Sequence, residues 1–202
     1  MKEKIVHKAA DMFITLGFKS VTMDDIARTM GISKKTIYTY FKNKTALVQE
    51  ATLAMFHVIR EGIDYISNQD KNPIEELYEI KKFVMLHLKG ESSSPQYQLQ
   101  KYYPEIFKKL KALQFETMQE CTLRNLKKGV AQGLYRPNLN IEFVSRIYFI
   151  GVVGTKDDTL FPHQTFPKAT LMEEYLEYHL RGIVTRKGEL TLHNFINNEP
   201  ND

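Results

Sequence analysis

Apolar residues recur three and four positions apart along almost the whole chain, and no stretch alternates with a period of two. Ile5, Ala9, Met12, Phe13 and Leu16 predict a first helix over about 2–16. Gly17 closes it, with Phe18 placed for the hydrophobic contact that follows such a cap. Ile26, Ala27 and Met30 mark a short second helix, capped by Thr22 with Asp25 as its capping-box partner. Gly31 breaks the pattern, Ile32 turns back toward the core, and Ser33 caps a third helix from Lys34 to about Phe41. Leu47, Ala51, Met55, Val58, Gly62 and Ile66 form the stripe of a long fourth helix over 43–67, with Asn43 as its cap.

Asn72-Pro73-Ile74-Glu75 opens a fifth helix with an N-cap, a proline at the first helical position and an acid at the third. Its inward residues are Ile74, Leu77, Val84 and Leu88, Gly90 ends it, and 91–95 reads as a loop. A short sixth helix covers about 96–102. Pro104 restarts the chain into a seventh that runs to Gln132, with Ile106, Leu110, Leu113, Met118 and Cys121 as burial candidates. Asn140 caps an eighth helix to about Thr155, whose run IEFVSRIYFIGVVG is apolar on nearly all sides and so predicts burial on all sides. A ninth, over about 169–186, repeats Leu171, Tyr175, Leu176, His179 and Ile183, with room for a further turn or two at 190–196 before a polar, fraying tail over 197–202. The fold class is all-α, with about nine helices.

Charge adds a location. Residues 1–45 carry nine Lys or Arg against four Asp or Glu, although the whole chain is only +4. The excess sits on the segment with the two short helices, as polyanion binding requires. Lysines that merely keep a small domain soluble would give the same split.

The single cysteine, Cys121, excludes an internal disulfide framework and fits a reducing compartment. The opening MKEKIVHKAADMF is an amphipathic helix rather than a signal peptide, and the longest apolar run, Ile147 to Gly154, is too short to span a bilayer. The expectation is a cytoplasmic protein with no membrane partner. No HExxH, GxSxG, Gly-rich phosphate loop or Cys/His metal spacing occurs, and the six histidines are scattered. The chain therefore reads as no enzyme, with no cofactor and no metal site.

The stretch Thr22 to Lys44, TMDDIARTMGISKKTIYTYFKNK, resembles the TetR-type (TetR/AcrR) bacterial transcriptional regulators in residue type and spacing. Gly129-Val-Ala-Gln-Gly133-Leu-Tyr-Arg-Pro137 resembles the turn between the seventh and eighth helices of the same family. The resemblance implies a three-helix helix-turn-helix DNA-binding domain over 1–46 and a helical ligand-binding and dimerisation domain over 47–202. It also implies a homodimeric repressor on a palindromic double-stranded DNA operator, released by an unknown small-molecule effector. A regulator without a ligand, controlled by a protein partner, and an activator remain alternatives.

Residue by residue, Ser33 opens the recognition helix, and Lys34, Lys35 and Thr36 are placed for base edges. Tyr38 and Tyr40 are placed to donate to phosphates. Lys44, at the start of the fourth helix, is placed to hold a phosphate beside free backbone N–H groups. Thr22 can donate to phosphate too, although capping explains it equally. The family usually has a small residue or proline where Lys35 stands. The implied dimer interface is on the last two long helices, at Phe143, Ile147, Gly151, Leu171, Tyr175, His179 and Gly182, with Gly151 and Gly154 letting another helix come close. The implied pocket for a small apolar or aromatic ligand uses Tyr65, Phe83, His87, Tyr102, Phe115, Met118 and Tyr148, each of which ordinary core packing also explains.

Overall fold

The structure is a computed structural model that describes residues 1–88, 95–162 and 164–198. Among the described residues the helices are α1 (Lys2–Leu16), α2 (Met23–Met30), α3 (Lys34–Tyr38), α4 (Lys44–Ser67), α5 (Pro73–His87), α6 (Pro95–Tyr102), α7 (Pro104–Ala131), α8 (Ile141–Gly154), α9 (Lys168–Ile183) and α10 (Arg186–Asn198). One isolated antiparallel bridge joins Tyr135 to Val184. No helix among the described residues is long and apolar enough to cross a membrane. The expected helix end at Gly90, the loop at 91–94 and the tail at 199–202 lie outside the described residues.

Two compact units divide the chain: Met1–Glu61 with His87–Gln114, and Gly62–Leu86 with Phe115–Asp202. The first unit is built on the apolar stripes of α1 to α3. Ile5, Phe13, Ile26, Ile37 and Phe41 are fully or almost fully buried, and Leu47, Val48 and Ala51 of α4 and Leu99 of α6 complete the same cluster. Three short helices bury too little surface to hold themselves together, and the fourth and sixth supply what is missing. The end of α1 is fixed from outside. Gly17 has φ 88, a region that favours glycine, and the Gln98 side chain fills the space a Cβ would occupy. Gln98 Oε1 also accepts from the Lys19 N–H at 3.0 Å.

The second unit closes around a buried polar knot. Asn125 Nδ2 donates to the Pro73 carbonyl at 2.9 Å and to Glu76 Oε1 at 3.1 Å, and the Tyr135 hydroxyl donates to Asn125 Oδ1 at 3.0 Å. Lys128 balances the Glu76 carboxylate at 3.3 Å. The Tyr135 ring lies where a Cβ on Gly129 would be, which explains the glycine within α7.

The ninth helix stops at Ile183, short of the expected Arg186. Residues 184 and 185 leave it to pair with the 134–136 turn: Arg136 N–H donates to the Ile183 carbonyl and Thr185 N–H to the Leu134 carbonyl, each at 2.9 Å. Thr185 then caps α10, its hydroxyl accepting from Gly188 N–H at 3.1 Å. Instead of the turn or two expected, α10 is a full helix, because Leu192 is completely buried and Phe195 packs on Tyr78 with ring centroids 4.8 Å apart. That makes ten helices among the described residues, where about nine were expected.

Candidate nucleic-acid interface

Three local devices set the turn between α2 and α3. The Thr22 hydroxyl accepts from Asp25 N–H at 3.2 Å, while the Asp25 carboxylate accepts from Thr22 N–H at 2.9 Å and from the Thr22 hydroxyl at 2.7 Å. These bonds, helped by Arg28, hold the Asp25 carboxyl below its usual range. Gly31 ends α2 at φ 65, in the left-handed conformation. The Ser33 hydroxyl accepts from Thr36 N–H at 3.0 Å and lies 2.8 Å from the Thr36 hydroxyl. Completely buried Ile37 then anchors α3, so that Lys34, Lys35 and Tyr38 face outward and Thr36 is half-buried.

The outward residues are not equivalent. Lys34 is held by Asp24 at 2.6 Å, a bond that raises the lysine pKa. Lys35 is exposed and its ammonium has no ionic or hydrogen-bonded partner among the described residues. Tyr38 and Tyr40 are both exposed, but α3 ends at Tyr38 rather than running on to Phe41. The N–H groups of Tyr40 and Phe41 both donate to the Ile37 carbonyl at 3.0 Å, a tightened turn that drives Phe41 into the core. Tyr40 therefore stands on the turn beyond the helix.

Thr22 takes the capping role expected of it, whereas Lys44 differs from expectation in chemistry. The Thr22 hydroxyl proton goes to Asp25, so the residue acts here as a cap. The Lys44 ammonium does not stand free for a phosphate: it donates to the Phe18 carbonyl at 2.6 Å and the Lys19 carbonyl at 3.3 Å, and lies 5.9 Å from the centroid of the Phe13 ring. Burial lowers its pKa. The start of α4 is capped by Asn43, whose Oδ1 accepts from Ala46 N–H at 2.9 Å.

The expected interface and pocket residues of the body also sort differently. Phe143, Ile147 and Ile150 are 60%, 44% and 62% exposed on one side of α8, a face that the chain itself does not cover. Tyr178 and Gly182 are exposed on α9. Ile150 and Tyr178 were missed, although each continues an i, i+3/i+4 row from an expected residue. Leu171 and His179 are buried within their own unit. Tyr175 lays its ring where a Cβ on Gly151 would be and donates to the Tyr148 carbonyl at 3.0 Å. Gly151 thus serves the α8–α9 contact inside the chain, whereas a Cβ on Gly154 would meet nothing within 4 Å.

Of the expected pocket residues, Tyr65 is 70% exposed, and His87 and Tyr102 belong to the first unit. Within the second unit Phe83 packs against Gly62, Phe115 meets Phe149 at 5.1 Å between centroids, and Met118 packs on the cluster that contains Tyr148. Among the described residues no group of His, Cys, Asp and Glu could hold a metal ion.

Residues 5–51 match the family model described as bacterial regulatory proteins, tetR family. The chain is 29% identical over 79 residues to the biofilm operon icaADBC HTH-type negative transcriptional regulator IcaR of Staphylococcus aureus, spanning 39% of this chain and 42% of that protein. It is 26% identical over 155 residues to the HTH-type transcriptional repressor KstR2 of Mycolicibacterium smegmatis, covering 72% of each. Among solved structures, a transcriptional regulator from Saccharomonospora viridis in complex with choline superposes with a TM-score of 0.75 at 15% identity, over 92% of this chain and 98% of that one. The ketosteroid regulator KstR2 of Mycobacterium tuberculosis gives 0.58 at 20% identity, over 92% and 95%.

Proposed function

We propose that the chain, whose residues 5–51 match the tetR family of bacterial regulatory proteins, is a sequence-specific, DNA-binding transcriptional repressor of that family that works as a homodimer and is released from a palindromic operator by a small molecule. The observation that carries this is the capped α2–turn–α3 unit, with Lys35 and Tyr38 exposed on a helix that Ile37 locks in place. Lys34, Lys35 and Thr36 meet base edges, and Tyr38 and Tyr40 meet phosphates. Residues 1–46 read DNA, and 47–202 dimerise and bind the effector, in the cytoplasm. Repression is supported by the names of the staphylococcal and mycobacterial relatives, a negative regulator and a repressor.

The dimer reading is supported by the apolar row Phe143, Ile147 and Ile150 beside Tyr178 and Gly182. Three large apolar side chains left this exposed in one row are what a two-fold helix pair would cover. A small-molecule effector is supported by the aromatic interior of the second unit, and by the choline-bound neighbour of the same fold.

Selection from a random double-stranded DNA pool at moderate salt tests the reading. A recovered palindrome is the expected result, and Ile147→Asp, which puts a charge in the row, should give a monomer by sedimentation that no longer retains it. Recovery of sequence-independent binding alone would overturn the proposal.

A further inference from the structure

We propose that the second unit holds a site for an uncharged, ring-bearing molecule with a hydroxyl or carbonyl group, hydrogen-bonded by the Tyr148 hydroxyl and His179 Nε2. The inference rests on the ligand-released reading above and gives its effector a chemical class.

His179 is only 7% exposed, and its Nε2 is buried without a hydrogen-bond partner. The Tyr148 ring lies against it, with centroids 4.6 Å apart. The Tyr148 hydroxyl bonds to no described residue and, unlike His179 Nε2, is not among the sealed side-chain atoms of the unit, although the residue as a whole is only 9% exposed. A closed core does not normally leave a ring nitrogen such as His179 Nε2 sealed without a partner, since it forfeits the hydrogen bond it had in water. A ligand that bonds to His179 Nε2 would restore it, and the unpartnered Tyr148 hydroxyl beside that ring can bond to the same ligand.

The surroundings set the class. Met118 packs on this cluster, the Phe115–Phe149 ring pair lies in the same unit, and Tyr175 stacks on Tyr148 at 5.9 Å. The Tyr175 hydroxyl is already committed to backbone carbonyls of α8. Burial depresses the His179 pKa, to about 4, so the imidazole is neutral near pH 7. The Tyr148 pKa is raised by burial and by two groups that are themselves uncharged near neutrality, Tyr175 and Cys121. An ionised ligand group would be desolvated here without a counter-charge. A neutral donor or acceptor on an apolar ring meets no such penalty.

The test uses the full chain and three probes of one ring size: phenol, benzene and benzoate. The ring Cε1–H signals of 13C-histidine-labelled protein are titrated, with the His179 signal assigned by its loss in His179→Phe. Saturable movement of that signal by phenol is expected, with affinity at least tenfold above benzene and benzoate. Tyr148→Phe should cost phenol about tenfold and leave benzene unchanged, and it keeps the test valid if His179→Phe fails to fold. Phenol binding no tighter than benzene, tightest binding by benzoate, or no saturable binding of any probe would overturn the site. The same samples are assayed for retention of selected DNA. DNA binding without phenol binding sinks this inference alone, whereas absence of DNA binding sinks the regulator reading and leaves the phenol result interpretable.

Discussion

The Lys44 ammonium donates to the Phe18 carbonyl at 2.6 Å, tying the first turn of α4 to the chain just beyond α1. Its burial shifts the pKa of Lys44 down, and the Phe13 ring lies beside it. A lysine at the start of a helix suits a phosphate, but this one is already committed to carbonyls of the turn that follows α1.

Lys44→Met should therefore lower stability by about 1 kcal/mol, the worth of a half-exposed, charge-assisted bond after solvent screening. Thermal melting measures it. DNA affinity should fall with the salt slope unchanged. A slope smaller by about one, with the melting temperature intact, would instead make Lys44 a phosphate contact.

Lys34 and Lys35 differ in what they must give up. Lys34 has Asp24 at 2.6 Å, while the Lys35 ammonium has no partner among the described residues. Lys35→Ala should weaken DNA binding more than Lys34→Ala, each read as a ratio of dissociation constants at fixed salt. Asp24→Asn frees Lys34 and removes a negative charge from this face, so affinity at low salt should rise severalfold. Equal losses for the two lysines, with no effect of Asp24→Asn, would show that the ion pair opens at no cost on DNA.

The two glycines of α8 make a sharper pair. A Cβ at Gly151 would sit 2.1 Å from the Tyr175 ring, whereas one at Gly154 meets nothing within 4 Å. Gly151→Ala should destabilise by roughly 1–3 kcal/mol through overpacking. Gly154→Ala should be neutral, or stabilise by a few tenths through helix propensity. Denaturant midpoints distinguish them, and equal midpoints would mean that α9 shifts freely to make room.

His179 predicts a pH dependence. Its pKa falls from 6.5 to about 4 on folding, so the unfolded chain binds the proton more tightly. Stability from keeping it neutral is complete above pH 6.5 and is lost as pH falls through 6.5 toward 4, by up to about 3 kcal/mol. In His179→Phe the drop in melting temperature between pH 7 and pH 4.5 should be visibly smaller. An identical drop would place the ring in water.

Both short helices of the head were legible in the sequence because their ends are written locally. Thr22 with Asp25, Gly31, and Ser33 each act within three residues, and the hydrogen bonds they promise all form. The end of α3 was misjudged for a related reason. The pattern of Ile37 and Phe41 fits one more helical turn, but a tight turn on the Ile37 carbonyl buries Phe41 equally well. Lys44 was legible as a cation at a helix start but not as a tether, because Phe18 and Lys19 come to it only when α1 and α4 pack. That Leu171 and His179 are buried within their own unit while Phe143 and Ile147 stay exposed was not legible, because a helical repeat shows which residues share a face, not what covers that face.

The sequence by itself determined the helices, their caps, the basic head and the family resemblance, all of which depend on residues within about one helical turn or on summed charge. Tertiary structure decided which side chains remain available. It committed Lys34 to Asp24 and Lys44 to the end of α1, turned Tyr175 into Gly151, buried His179 and left Ile150 and Tyr178 outside. It also built α10, whose Leu192 and Phe195 gain their burial only from distant parts of the chain. Partners far apart in sequence have no fixed spacing, so no periodicity can announce them.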